Sequence, residues 1–418
     1  MLLNKKLKIN SLKQLNLFKL FSYLLFPVLF LTPQSGIGYI LQILIIFMVI
    51  FSKFKSHQLL FVRRNLNSFI KVLIFFIFFI TICYQVIIVQ EPIYLKNIFK
   101  GLNIILLICL FPFNKKIYTN ELVFWLILII IGCSQIAYLF NISFFINLID
   151  NYYFLEGYLN SSEISSNISS SESIFNLRFG GLYRNPNQCA RAITFLSGFY
   201  LITRIKNKIS KINILFLCFS LFFIIVTGSR TGLFIELIMI IFFAYIKYPL
   251  YFKRSLIVII PFLIFVFFSF SDILFSSRIF DFKELYSSNS TNNSINLKLE
   301  FLYQYLQYKA DSYHFFQLLF GTSQIDTSYY LGFNNNYRIE NFDSDIGYII
   351  NGFGLIGLFL IASFYFMELK KIPRQYIFIF SLLLWMISSS ILTNIRFSLI
   401  FAILMSHILT IRKEGVHA

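Results

Sequence analysis

The chain has 418 residues, of which 58% are hydrophobic and only 13% charged, with a formal net charge of +18 and a mean hydropathy of +0.74. Soluble domains run near 45–50% apolar and about 25% charged, so this composition excludes a soluble globule. It also excludes a nucleic-acid binder, because the basic residues are scattered over short segments between apolar runs instead of clustering on one soluble face.

Twelve apolar runs near the length that crosses about 30 Å of hydrocarbon follow one another: 18–33, 37–52, 72–90, 95–113, 122–142, 189–204, 213–228, 232–247, 255–272, 345–367, 376–393 and 396–411. We read an all-α polytopic membrane protein of about twelve transmembrane helices, a single integral membrane domain over 1–418 with both termini inside. The basic N-terminal stretch leads into an apolar run ending at Thr32-Pro33 without a small-residue cleavage site, and is read as the first span. With that topology, segments 1–19, 53–71, 114–121, 204–211, 247–254, 368–374 and 412–418 share the inner face. They hold about two thirds of the 36 lysines and arginines against three acids, Glu121, Glu368 and Glu414, the asymmetry that keeps positive loops inside.

Two outer loops are long. The first, 143–188, contains the polar stretch SSEISSNISSSES, which reads as low-complexity sequence. The second, 273–344, lies between spans nine and ten. Within it, 297–320 alternates polar residues with Leu, Phe and Tyr and predicts an amphipathic helix or helix pair on the membrane surface. Cys83, Cys109, Cys133, Cys189 and Cys218 fall inside predicted spans at unrelated spacings and read as buried small hydrophobes; the four histidines are far apart. No metal site is expected. GFGLIG, 352–357, matches a dinucleotide fingerprint but has no strand before it. Its glycines are expected to let transmembrane helices approach closely.

Cationic, turn-forming sequence gathers on the outer side. RFGGLYRNPNQCAR, 178–191, carries Arg178, Arg184 and Arg191; TGSRTG, 227–232, carries Arg230; SSRIFDF, 276–282, carries Arg278. An arginine drawn into the apolar zone costs about 2.5–3.5 kcal/mol on insertion scales, so it needs partners. For one such residue, snorkelling to headgroups is the simpler reading. The set Arg178, Arg230 and Arg278, each beside turn-forming or loop sequence at a span end, points to a phosphate or pyrophosphate held by guanidinium forks and glycine N–H groups. Arg191 reads equally well as a structural charge paired with Glu236, the acid placed well inside a span.

Together, Arg-x-Gly-Gly-Leu-Tyr-x-Asn-Pro-Asn at 178–187, Gly-Ser-Arg-Thr-Gly at 228–232, Leu-Phe-Gly-Thr at 319–322 and DSDIGYIINGFGLIG at 343–357 resemble the O-antigen polymerase and ligase superfamily. The resemblance covers nearly the whole chain. It implies a GT-C-like glycosyltransferase of the bacterial inner membrane with its active site facing the periplasm, which makes 143–188 and 273–344 periplasmic loops. The implied donor is a glycan on undecaprenyl pyrophosphate, and neither a metal nor a cofactor is required. A polymerase passes the growing chain to a lipid-linked repeat unit, in concert with a chain-length regulator; a ligase passes it to lipid A–core. Family ligases carry a histidine at the head of the last block, where this chain has Asp343, which favours polymerase. The implied catalytic residues are Asp343, Arg230 and Arg278, with Arg178, Arg184, Asn187, Arg191 and Asp345 contacting substrate or pyrophosphate. Tyr183, Tyr329, Tyr330 and Tyr337 are candidate sugar-stacking residues, although loop packing explains each singly. A flippase or transporter for the same lipid-linked glycans is the alternative from another class.

Overall fold

The computed structural model describes residues 24–32, 66–89, 95–110, 120–153, 179–183, 185–205, 210–250, 315–323, 345–388, 391–392 and 394–415, with isolated positions between them. The helices are α1 (Leu66–Tyr84), α2 (Leu95–Leu110), α3 (Glu121–Leu139), α4 (Ser143–Tyr153), α5 (Pro186–Arg204), α6 (Lys211–Val226), α7 (Arg230–Lys247), α8 (Phe315–Phe320), α9 (Asp345–Leu369), α10 (Trp385–Ser388) and α11 (Ile395–Gly415). A π-helical segment, Gln85–Val89, extends α1, and 3-10 turns cover Gly181–Tyr183 and Arg374–Leu384. No strand occurs among the described residues. Leu66–Ile87, Glu121–Leu139 and Asp345–Leu369 are each long and apolar enough to cross a membrane. Helices α2, α5, α6, α7 and α11 fall on five more of the twelve apolar runs, but among the described residues only those three helices are both long and apolar enough for a crossing.

The chain divides into two compact units, one formed by 1–48, 114–280 and 418, the other by 49–113 and 281–417. In the first unit, α3, α5, α6 and α7 pack together. Each starts at a short polar cap that accepts one of the helix's free N–H groups: Asn120 from Leu122, Asn185 from Asn187, Ser210 from Asn213 and Ser229 from Gly232. Such a cap stabilises a helix by about 1 kcal/mol. Helix α5 is buried continuously from Cys189 to Ile202, because its small residues allow neighbours on every side. Ala190, for instance, lies 2.6 Å from where a Cβ on Gly232 of α7 would sit.

One end of this unit is tied by charge. Arg204 pairs with Glu121, and the Tyr200 hydroxyl donates to Glu121 Oε1 at 2.8 Å. The Asn213 amide that completes the network turns its nitrogen toward Tyr200 Oη at 2.6 Å and Glu121 Oε1 at 3.2 Å. Lys247 Nζ caps α5 by donating to the carbonyls of Arg204 at 2.5 Å and Ile205 at 3.1 Å. Thus the first residues of α3 and α6 meet the last residues of α5 and α7, the alternation expected of consecutive antiparallel crossings.

The stretch 143–188 is not loop throughout. After a left-handed Asn141 (φ 51°), the chain forms α4, which buries Ile146 and Ile149 while exposing Phe144 and Phe145. The apolar spacing in SFFINLIDNYY makes one helical face, short of a full crossing. The cysteines also depart from expectation. Among the described cysteines only Cys189 is buried; Cys83 is half-buried, and Cys133 and Cys218 lie on exposed helix faces, where a lipid tail suits a small thiol as well as a core does. The Cys109 side chain lies outside the described residues.

In the second unit α1 runs antiparallel to α9. Asn67 donates to Glu368 Oε1, Lys71 lies over the Phe364 ring at 5.3 Å, and Phe78 stacks on Phe353 at 5.2 Å. Helix α9 is broken: Gly354 has φ 69° and ψ −175° inside it. The two halves of α9 therefore do not share one straight axis. The expected span 376–393 departs more, being 3-10 over Arg374–Leu384 and α-helical only at Trp385–Ser388. Of the amphipathic stretch 297–320, the structure describes α8 and isolated helical positions at 303, 306 and 307.

The break in α9 is held by the block Leu-Phe-Gly-Thr. Thr322 N–H donates to Asn351 O at 2.7 Å and Ser323 N–H to Gly352 O at 3.0 Å, and Thr322 Oγ1 donates to Asn351 O at 2.9 Å. A Cβ on Gly321 (φ 89°) would fall 2.5 Å from Gly352 O, and one on Gly354 would collide with the Leu319 carbonyl. Among the described residues, Gly354 thus admits the end of α8 at Leu319 and Phe320. Gly354→Ala combines a left-handed φ with a backbone clash. We expect it to lower the amount of folded protein recovered from membranes several-fold, whereas Leu355→Ala, on a partly exposed face, leaves recovery near wild type in fluorescence-detected size exclusion.

Candidate functional site

Two of the sequence blocks, 178–187 and 228–232, meet at the opposite end of the first unit from the Glu121–Arg204 pair. Gly181 takes φ 53° because its α-carbon lies against Ser134 of α3; a Cβ there would overlap Ser134 Oγ. The same hydroxyl accepts the Leu182 N–H at 3.1 Å. Gln135 Nε2 lies 3.3 Å from Phe179 O, 3.2 Å from Phe223 O and 3.3 Å from Cys189 Sγ, so two amide protons are shared among three acceptors on three segments. Phe179 N–H donates to Val226 O at 3.4 Å. The Gly-Gly turn is thereby bound to the α6–α7 corner.

That corner carries Arg230. Ser229 caps α7 with Oγ 3.3 Å from Gly232 N, which makes Arg230 the first helical residue, partly exposed. Asn185 and Pro186 start α5 beside it: Asn185 Oδ1 accepts Asn187 N–H at 2.9 Å, and the contact of Gly232 with Ala190 sets the two helices side by side with their N-termini at the same end. Asn187 and Arg191, one turn apart, share a face of α5. Arg191 is 2% exposed. Two parallel helix N-termini bring their partial positive ends to the corner where Arg230 begins α7, an arrangement suited to an anion.

Glu236 accepts from Ser220 Oγ at 2.9 Å. Its hydrogen bond is therefore with a hydroxyl of α6, in place of the Arg191 pairing that the sequence allows. Tyr183, a candidate for sugar stacking, is instead buried and donates from its hydroxyl to Phe30 O at 2.6 Å. Arg178, Arg184, Arg278, Asp343, Tyr329, Tyr330 and Tyr337 lie outside the described residues.

In the second unit Asp345 is fully buried. Its Oδ2 accepts the N–H groups of Ile391 at 2.6 Å and Leu392 at 2.9 Å. Where the resemblance implies contact with pyrophosphate, the structure gives Asp345 two backbone N–H partners, which suit a carboxylate better than another anion does. Sequence reasoning passed over Gln135, Ser134, Asn103 and Arg396. Each is a polar side chain at or inside an apolar run, and that signal was available. Among the described residues no His, Cys, Asp or Glu group could hold a metal ion. Searches against protein-family models and curated proteins found no match to this chain.

Proposed function

We propose that the protein is a membrane glycosyltransferase that extends a surface polysaccharide, passing a growing glycan from a lipid pyrophosphate to a lipid-linked repeat unit at the outer face of the inner membrane. The observation that carries this reading is the meeting of the Gly-Gly turn, the α5 N-terminus and the Arg230 corner at one end of one unit. They belong to two blocks, 178–187 and 228–232, that are separated in sequence and are among those by which the chain resembles the polymerase and ligase superfamily. Breaking the anomeric C–O bond leaves negative charge on the lipid pyrophosphate as the sugar becomes oxocarbenium-like. Arg230 and Arg191, with Arg178, Arg184 and Arg278, would stabilise that leaving group electrostatically. Asp343 would orient the attacking hydroxyl or take its proton.

A transport reading has one observation in its favour. Discontinuous helices with polar groups at the break are typical of transporters, and α9 is broken at Gly354. A deletion strain separates the two. Loss of a polymerase leaves single repeat units attached to the surface carrier, because assembly and flipping precede it. Loss of all surface glycan, single units included, assigns the protein to the ligase or flippase step.

A further inference from the structure

Asp345 is a charged side chain committed to backbone. Ile391 and Leu392 are buried and non-helical, inside a stretch apolar enough that water cannot satisfy their N–H groups, so protein groups must do so. The Asp345 carboxylate takes both. From α2, Asn103 Nδ2 reaches Leu392 O at 3.5 Å and Ser398 Oγ at 3.1 Å. Asn394 Oδ1 then accepts the N–H groups of Arg396 at 3.1 Å and Phe397 at 3.4 Å, which starts α11 and sets the direction of Arg396, itself 4% exposed.

We propose that Asp345 is a positioning residue: acting through the Ile391 and Leu392 amides, with Asn103 holding the Leu392 carbonyl, it fixes the start of α11 and hence the placement of Arg396. Two helices, α9 and α2, grip both polar sides of one short break. A hydrogen-bonded carboxylate does this better than any apolar residue, and an asparagine oxygen can accept the same two N–H groups. That the placement matters for turnover rests on the glycosyltransferase reading; the grip itself does not.

The full-length protein in nanodiscs tests both parts. Hydrogen–deuterium exchange of the peptide covering 391–394 should be slow in wild type, faster by about tenfold or more in Asp345→Ala, and near wild type in Asp345→Asn. With lipid-linked repeat units as substrate, Asp345→Ala should lower kcat by about tenfold while KM changes by less than about twofold, and Asp345→Asn should restore kcat. Unchanged exchange in Asp345→Ala overturns the grip. Faster exchange with unchanged kcat reduces it to a structural contact, and protected exchange with lost kcat in Asp345→Asn shows that the charge itself is used; either result overturns positioning. If Asp345→Ala does not fold, Asn103→Leu removes the other half of the grip and is read the same way. A wild-type protein that turns over no lipid-linked glycan defeats the glycosyltransferase reading and, with it, the catalytic part, while the exchange arm still decides the grip.

Discussion

Alanine at Arg178, Arg230 or Arg278 should abolish long polymer while the protein remains inserted at wild-type abundance. For Arg230 the structure explains why stability survives. The residue is partly exposed at the first position of α7, and the cap that starts the helix comes from Ser229, so alanine, a good helix former, leaves the corner intact. On the proposed function, what is lost is a charge-assisted fork onto an anion, about 1.5–3 kcal/mol per bond or roughly ten- to a hundredfold in rate. Arg230→Lys should rescue poorly, since an ammonium cannot make the two parallel bonds of a guanidinium. Polymer length on a gel and immunoblotting of membranes measure both halves. Wild-type lengths from all three alanine variants would reduce these arginines to headgroup contacts. Arg191→Ala is the contrasting case: buried inside α5, it should lower abundance as well as activity.

The parts of this fold that read directly from sequence are local. The turn-forming stretches at 178–191 and 227–232 contain the starts of α5 and α7, and the apolar runs 72–90 and 122–142 fall on Leu66–Ile87 and Glu121–Leu139, helices long enough to cross a membrane. What did not read is set by partners far along the chain. Gly354 bends α9 because the turn at Leu319–Gly321 must fit against it, and nothing within ten residues of either glycine says so. Nothing near Asp345 in the sequence shows that Ile391 and Leu392, 46 and 47 residues on, supply its hydrogen bonds. Tyr183, in a polar loop sequence, is an interior residue because Phe30 offers a carbonyl to its hydroxyl. The candidate site divides the same way. Residue chemistry picked out Arg230 and Arg191 with their flanking turns, while the residues that bind those turns together, Ser134 and Gln135, look from the sequence like ordinary polar interruptions of an apolar helix.

The acidic pair 343 and 345 carries the sharpest catalytic prediction. One member is already engaged: Asp345 is buried against two backbone amides, and its asparagine variant keeps an oxygen for them. The head of the motif block that resembles the polymerase family is Asp343, the residue we assign to the acceptor hydroxyl. A base that takes a proton in the transition state contributes about 10²–10⁴-fold, so Asp343→Asn should cut turnover by about a hundredfold or more in a purified assay, with donor binding retained because the arginines are untouched. Asp345→Asn should stay within about twofold of wild type. Equal and mild effects from both substitutions would leave Asp343 without a catalytic role. The proton would then have to pass to another titratable group of the 273–344 loop, and Glu300, Asp311 and His314 would be the side chains to replace next.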